Sequence, residues 1–282
     1  MKLGIHSAAF VKDWTEDIIP YIKECHSRGY EVIEVSLLGQ TKNSAEKIAK
    51  LANDLNVSLT CTTGLSEEED ISDESIEKQK KGIIALKNAI EICEIMNSNI
   101  LSGVVHSKWG ISSSYGRKKE LKFINSSNCI KEIIPILEKK GIKLAIEPLN
   151  RYETDFINTV DQGLYLCKLI DSKYVGLLLD VYHMNIEEKD ICLEIQKAKE
   201  KLFHLHIAGN DRGVPRIRSI DWKNIFKTLK SINYSDYIVI EMFFQHSVNT
   251  SKDLFAWREI EKDIGIATVS YTHLTLPTIC SV

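Results

Sequence analysis

Along the chain, short runs of almost unbroken apolar residues alternate with longer stretches whose apolar positions recur every three or four residues. The short runs are LGIH at 3–6, VIEVSL at 32–37, VSLTCTT at 57–63, ILSGVV at 100–105, KLAIEPL at 143–149, VGLLLD at 175–180, LFHLHI at 202–207 and YIVIEM at 237–242. Runs of this kind predict strands covered on both faces. Between them, helical spacing predicts helices near 17–29, 43–55, 75–96, 125–139, 159–170, 187–200 and 221–232. In the third of these, Ile83, Leu86, Ile90 and Cys93 share one face. Gly29, Gly141 and the Asn97/Asn99 region are the expected helix ends. Eight strands alternating with helices predict an α/β fold, a closed (β/α)8 TIM barrel, for which about 250 residues is the usual size. The rival, an open doubly wound sheet, wants a Gly-rich phosphate loop after an early strand, and neither GxGxxG nor a GxxxxGKS/T loop is present.

Composition narrows the function classes. With 282 residues, 44% hydrophobic and 27% charged, the chain can bury a large core, which excludes a disordered or fibrous protein. Its 36 basic and 39 acidic residues leave a net charge of −3, a poor electrostatic match for nucleic acid. No apolar run reaches membrane-spanning length, and the opening MKLGIHSAAFVKDW lacks the long apolar stretch of a signal peptide, so no membrane partner is expected. The seven cysteines, Cys25, Cys61, Cys93, Cys129, Cys167, Cys192 and Cys280, are odd in number, dispersed and without a CxxC pair. That usage fits a reducing cytoplasm, with the thiols acting as small buried apolar groups.

In a barrel, polar residues at the C-terminal ends of strands face the active-site mouth. Strands five to eight end in Glu147, Asp180, His206 and Glu241, each after an apolar run. A bare buried charge costs several kcal/mol, so four convergent groups of this kind point to a divalent cation. Three carboxylates and one imidazole suit Mn²⁺, Mg²⁺ or Co²⁺ better than a structural zinc site, which favours thiolates. Glu153, His183 and Arg212 follow strands five, six and seven and are candidate substrate groups. His204 alternates with His206 but sits one layer deeper, where a hydrogen-bonded core role is expected. Glu34, a carboxylate inside an apolar strand, reads either as support for the site or as half of a core ion pair. For the isolated His106, His246 and His273 the expectation is a surface or loop position.

The stretches EPLNRYE, LLLDVYHMNIEE, HLHIAGNDR and IVIEMF resemble the successive motifs of ketose 3-epimerases, the D-tagatose/D-allulose 3-epimerase group of xylose-isomerase-like TIM barrels. The resemblance runs from about residue 2 to about residue 260, with looser matches at MKLGIHSAAF, CTTGL and LSGVVHSKWG. It implies that Glu147, Asp180, His206 and Glu241 are the metal ligands, with Mn²⁺ first and Co²⁺ or Mg²⁺ next. It implies that Glu147 and Glu241 are also the catalytic acid/base pair, epimerising a free ketose at carbon 3 through a cis-enediolate. Glu153, His183 and Arg212 would hold the carbonyl and hydroxyl end of the sugar, and Trp109 and Phe243 its far end. A homodimer or homotetramer is likewise implied. Two departures bear on substrate choice: His6 stands where relatives commonly carry an aromatic residue at the pocket rim, and strand eight reads Glu-Met-Phe in place of Glu-Pro-Phe. Competing readings are an aldose–ketose isomerase on the same barrel, an abasic-site endonuclease, which needs more histidine ligands and a basic face, and a non-catalytic sugar-binding paralogue.

Residues 1–267 are expected to form the barrel. From Thr268 the sequence TVSYTHLTLPTICSV has no helical period and no Asp, Glu, Lys or Arg, whereas the charge-rich pattern around AWREIEKDIG just before it is helical. Family members continue there into an eighth helix. Residues 268–282 therefore read as a non-native tail resembling translated sequencing adapter, leaving the barrel without a native eighth helix.

Overall fold

The computed structural model describes residues 1–113, 115–216, 219–243 and 248–261. Eight parallel strands close into a barrel in chain order: β1 Lys2–His6, β2 Val32–Ser36, β3 Ser58–Leu65, β4 Ile100–Lys108, β5 Lys143–Ile146, β6 Val175–Asp180, β7 Leu202–Ile207 and β8 Tyr237–Ile240. The ring is completed by β8 on β1, with Lys2 opposite Tyr237 and Ile5 opposite Ile240. Every residue of β2, β6 and β7 is buried, which is why these strands read as continuous apolar runs.

Helices pack outside the ring: α1 Ile19–Ser27, α2 Lys42–Asp54, α3 Ile76–Ile95, α4 Lys119–Lys131, α5 Ile134–Lys140, α6 Val160–Ile170, α7 Val181–Glu187, α8 Ile191–Ala198, α9 Trp222–Ser231 and α10 Asn249–Asp253. Their starts follow local chemistry. The Thr41, Thr159 and Asp221 side chains accept main-chain N–H bonds at the first turns of α2, α6 and α9, satisfying donors that the helix itself leaves unpaired. α2 buries Ala45, Ile48 and Ala52, the three-and-four spacing of one inward face. Gly141 ends α5 with φ +67°, and Asn97 follows α3 with φ +53°.

Two helix expectations are corrected. The single helix predicted over 125–139 is two, α4 and α5, because Pro135 in the first turn of α5 has no N–H for the carbonyl of Lys131. The helical pattern at AWREIEKDIG carries no helix over 256–261. There the chain folds back on the loop after β7, and Arg216 pairs with Glu261 at 2.8 Å. The remainder of that stretch, the tail from Thr268, His246 and His273 lie outside the described residues.

Among the described residues six cysteines are free, five of them buried and Cys192 partly so, while Cys280 lies outside the described residues. No helix among the described residues is long and apolar enough to cross a membrane. His106 is not at the surface: it is fully buried on β4, tilted against Phe156 at 5.7 Å, and neither ring nitrogen has a hydrogen-bond partner among the described residues. Burial pushes its pKa down to about 3, so the ring is a neutral core group.

Candidate metal centre and active site

Strand alternation and closure bring the predicted residues to one end of the barrel. The main-chain N–H of Glu147 donates to Gly103 and that of Glu241 to Ile207, both at 3.1 Å. These bonds carry the sheet pattern one residue past β5 and β8 and turn both carboxylates inward. On β6, a register shift between Leu177 and Leu178 sets Asp180 opposite His206 of β7. One oxygen of Asp180 caps α7, accepting from Tyr182 N–H at 2.8 Å, which leaves Oδ2 for the barrel axis. The helix that starts at Asp180 also fixes His183, three residues on, with Nε2 3.6 Å from Asp180 Oδ2 and 3.8 Å from Glu147 Oε1.

One ligand atom from each of Glu147, Asp180, His206 and Glu241 lies within 4.8 Å of all the others. His206 Nδ1 is 3.5 Å from Glu241 Oε1 and 3.9 Å from Glu147 Oε1. Glu147 Oε1, Asp180 Oδ2 and His206 Nδ1 are buried without a hydrogen-bond partner among the described residues. Buried polar atoms are almost always paired, so three orphans facing one point fit a cation. Ligands held about 2.0–2.2 Å from an ion stand roughly 3 Å apart, somewhat closer than the 3.5 and 3.9 Å that separate His206 Nδ1 from the two glutamates. An oxygen-rich set with one imidazole suits Mn²⁺, Mg²⁺ or Co²⁺. Without the ion the charges crowd: burial and then the Glu241 charge push Glu147 well above the carboxylate range and Asp180 up to about 7. Burial opposes ionisation of Glu241 as well, but His206 outweighs it and holds that carboxyl below the usual range.

Beneath this layer lies a second one. Glu34, fully buried, places Oε1 2.5 Å from His206 Nε2 and Oε2 2.6 Å from His204 Nε2, and Thr60 Oγ1 donates to Oε2 at 2.9 Å. Both sequence expectations for Glu34 therefore meet in one group: it is a core ion pair, and its partner is a candidate ligand. His204 has the expected deeper, hydrogen-bonded position.

The remaining predicted residues line a cavity of about 470 Å³ of open space above the four ligand atoms. Glu153 and Arg212 form a buried pair at 3.3 Å, and Arg212 Nη2 is 3.7 Å from Glu241. The Arg212 guanidinium is sandwiched 4.5 Å from the Tyr182 ring centre and 5.1 Å from that of Phe243. Its backbone has φ +63°, a left-handed value that costs a non-glycine residue energy and aims this side chain inward. The main-chain N–H of Asn150 donates to His183 Nδ1 at 3.1 Å, so the ring hydrogen sits on Nε2. Burial and the Arg212 charge hold His183 neutral. His183 Nε2 and Arg212 Nη2 lie 3.2 Å apart, which sets two N–H groups side by side in residues that line the cavity. Trp109 and Phe243 both line the cavity, each edge-on to Trp14 at 5.9 and 6.3 Å. His6 is set deeper than the rim position expected of it: it is buried in the cavity wall, its Nδ1 accepting from Ala8 N–H at 3.0 Å and its ring tilted towards Phe243.

Three contributors were not singled out in the sequence. Asn150 and Tyr182 lie inside the quoted motifs, and their signal is proximity to Glu153 and His183. Trp14, whose Nε1 donates to Asp253 at 2.8 Å, has no signal of its own in a single sequence.

A family model described as xylose isomerase-like TIM barrel matches residues 22–260. The D-psicose 3-epimerase of Enterocloster bolteae is 28% identical over 270 residues, covering 94% of this chain and 90% of that protein. A crystal structure of a D-psicose 3-epimerase in the presence of D-fructose superposes with a TM-score of 0.90 at 27% identity, covering 95% of this chain and 94% of the other. A structure of an L-ribulose 3-epimerase gives 0.91 at 25% identity, covering 99% and 96%.

Proposed function

The chain belongs to the xylose isomerase-like TIM barrel family, and from that premise we propose that it is a metal-dependent ketose 3-epimerase acting on free ketoses. The carrying observation is the ring of Glu147, Asp180, His206 and Glu241, with three buried ligand atoms that no side chain or main-chain group among the described residues satisfies. In this reading these four residues hold a divalent cation, Mn²⁺ first. When bound, the cation polarises the sugar carbonyl and makes the neighbouring C–H acidic.

Inversion at carbon 3 needs a proton taken from one face and returned on the other. Glu147 and Glu241 project from β5 and β8, three strands apart in a ring of eight, so a sugar seated between them presents opposite faces. One removes the proton as base and the other delivers it as acid, and the roles exchange in the reverse direction. The His183 and Arg212 donors meet the oxygen on which negative charge develops in the enediolate. Glu153 keeps Arg212 in place and accepts from a substrate hydroxyl. Trp14, Trp109 and Phe243 form the apolar wall for the far end of the sugar. Among the described lining residues Arg212 is the one Lys or Arg, and it is already paired with two carboxylates. Among the described residues that leaves no unpaired cation in the cavity wall for a phosphate, which supports a free sugar. A homo-oligomer is part of the same proposal.

Incubation with D-fructose, D-tagatose, D-allulose and L-ribulose in the presence of Mn²⁺ tests this. Formation of D-allulose from D-fructose is the expected result. Aldoses as the sole products would replace epimerisation by the aldose–ketose isomerase reading.

A further inference from the structure

Glu34, His204 and His206 are themselves a cluster of three potential ligands, all fully buried. Their spacing argues against an ion among them. Atoms sharing one cation stand roughly 3 Å apart or more, whereas Glu34 lies 2.5 Å from His206 Nε2 and 2.6 Å from His204 Nε2. These are direct charge-assisted hydrogen bonds, and the carboxylate is an acceptor only. Each imidazole must therefore carry its hydrogen on Nε2. For His206 that requirement has a consequence at the other side of the ring: with Nε2 donating downward, Nδ1 is the nitrogen left to ligate a cation once it gives up its own proton, and among the described residues it is the buried, unpartnered atom that faces Glu147 and Glu241.

We propose that Glu34 is a positioning residue for the metal centre, locking His206 in the tautomer and rotation that offer Nδ1 to the cation. The inference rests on the reading of Glu147, Asp180, His206 and Glu241 as ligands. His204 and Thr60 act one step further back: both donate to Oε2, which holds the carboxylate plane so that Oε1 is left for His206. Glu34 is on β2 and the two histidines are on β7, about 170 residues later in the chain, so only barrel closure makes the contact.

Replacing Glu34 by glutamine keeps size and shape but supplies one acceptor and one donor in place of two acceptors. One of the two imidazoles must then accept at Nε2 and carry its hydrogen on Nδ1. Isothermal titration of the metal-free protein with Mn²⁺ is expected to show a 10–100-fold weaker affinity for Glu34→Gln, the usual scale for losing a partner behind a metal-bound histidine. His204→Gln, which retains a donor towards Oε2, is expected to lower the melting temperature while leaving Mn²⁺ affinity within a few-fold of the original. Spectra of the unmutated protein, labelled with ¹⁵N-histidine and loaded with diamagnetic Zn²⁺, provide a test that does not depend on the variants folding. The expected signature for His206 is a proton on Nε2 and the metal on Nδ1. Metal on Nε2, or an unchanged Mn²⁺ affinity in Glu34→Gln, overturns the assignment. If the unmutated protein takes up neither Mn²⁺ nor Zn²⁺, the metal-centre reading itself fails and takes this one with it. Tight Mn²⁺ binding that is indifferent to Glu34 removes this inference alone.

Discussion

Two layers of carboxylate and imidazole are stacked inside the barrel and share His206, yet they are opposites. In the lower layer Glu34 is answered by the protein itself, with Nε2 donors at 2.5 and 2.6 Å and a hydroxyl at 2.9 Å. In the upper layer the contacts to His206 Nδ1 are 3.5 and 3.9 Å, beyond a good hydrogen bond, and three buried ligand atoms have no partner among the described residues. Acidity follows spacing. Burial works against the Glu34 charge, but the two histidines hold its carboxyl well below the usual range. Burial and mutual repulsion instead drive Glu147 and Asp180 upward. The same residue types thus form a finished hydrogen-bonded group at one depth and a cation-sized site at the next. What separates them is a gap of about an ångström.

The sharpest way to break this contrast is at the upper carboxylates. Glu147→Gln removes a proposed acid/base group and a ligand while preserving volume, and turnover of whichever ketose the enzyme epimerises should fall by about 10²–10⁴. Retained turnover would favour the non-catalytic paralogue. Next comes the response to pH. In the metal-free protein, Asp180 titrates near 7, well above an unfolded aspartate, so its contribution to stability is present at low pH and lost as pH rises through 7. Cation binding requires the ionised carboxylates, so the stabilisation by Mn²⁺ should run the other way and be larger at pH 8 than at pH 6. Saturation to about 100 times Kd corresponds to ~2.7 kcal/mol, or about 5–10 °C in melting temperature for a chain of this size. Paired thermal melts at the two pH values read it directly, and an equal shift at both would contradict the protonation picture.

The smallest effect uses His106 as a buried imidazole with no carboxylate beside it. Its pKa of about 3 lies below that of the unfolded chain, so it costs stability as pH falls from about 6.5 towards 3. His106→Phe removes two unpartnered ring nitrogens and should be more stable than the parent by about 1–3 kcal/mol, with the gap widening from pH 7 to pH 4. Urea unfolding across that range measures it. Epimerase activity should be unchanged, because His106 packs against Phe156 and is not among the residues lining the cavity.

Much of the site was legible in one dimension because a barrel converts strand ends into neighbours. Glu147, Asp180, His206 and Glu241 each terminate an apolar run, and parallel closure in chain order needs no further information to gather them. Helix α7 was not legible: VYHMNIE has too short a pattern to stand out, and its start depends on Asp180 acting as cap and candidate ligand at once. The break at Pro135 was visible as a residue but was overridden by the apolar spacing on either side of it. His106 looked like a surface residue because the usual preference of histidine says nothing about which face of β4 is covered by α4 and the loop carrying Phe156.

By itself, then, the sequence determined the periodicities, the order of strands and helices, and which polar residues end the strands, because these are properties of neighbouring positions. The tertiary structure alone decided how far apart the polar atoms stand. Glu34 meets His206 across the ring from another quarter of the chain, and Asp180 reaches its register through a shift in β6. Hydrogen bonding and ion binding differ by an ångström or less in spacing, and no local pattern encodes distances between strands that closure brings together.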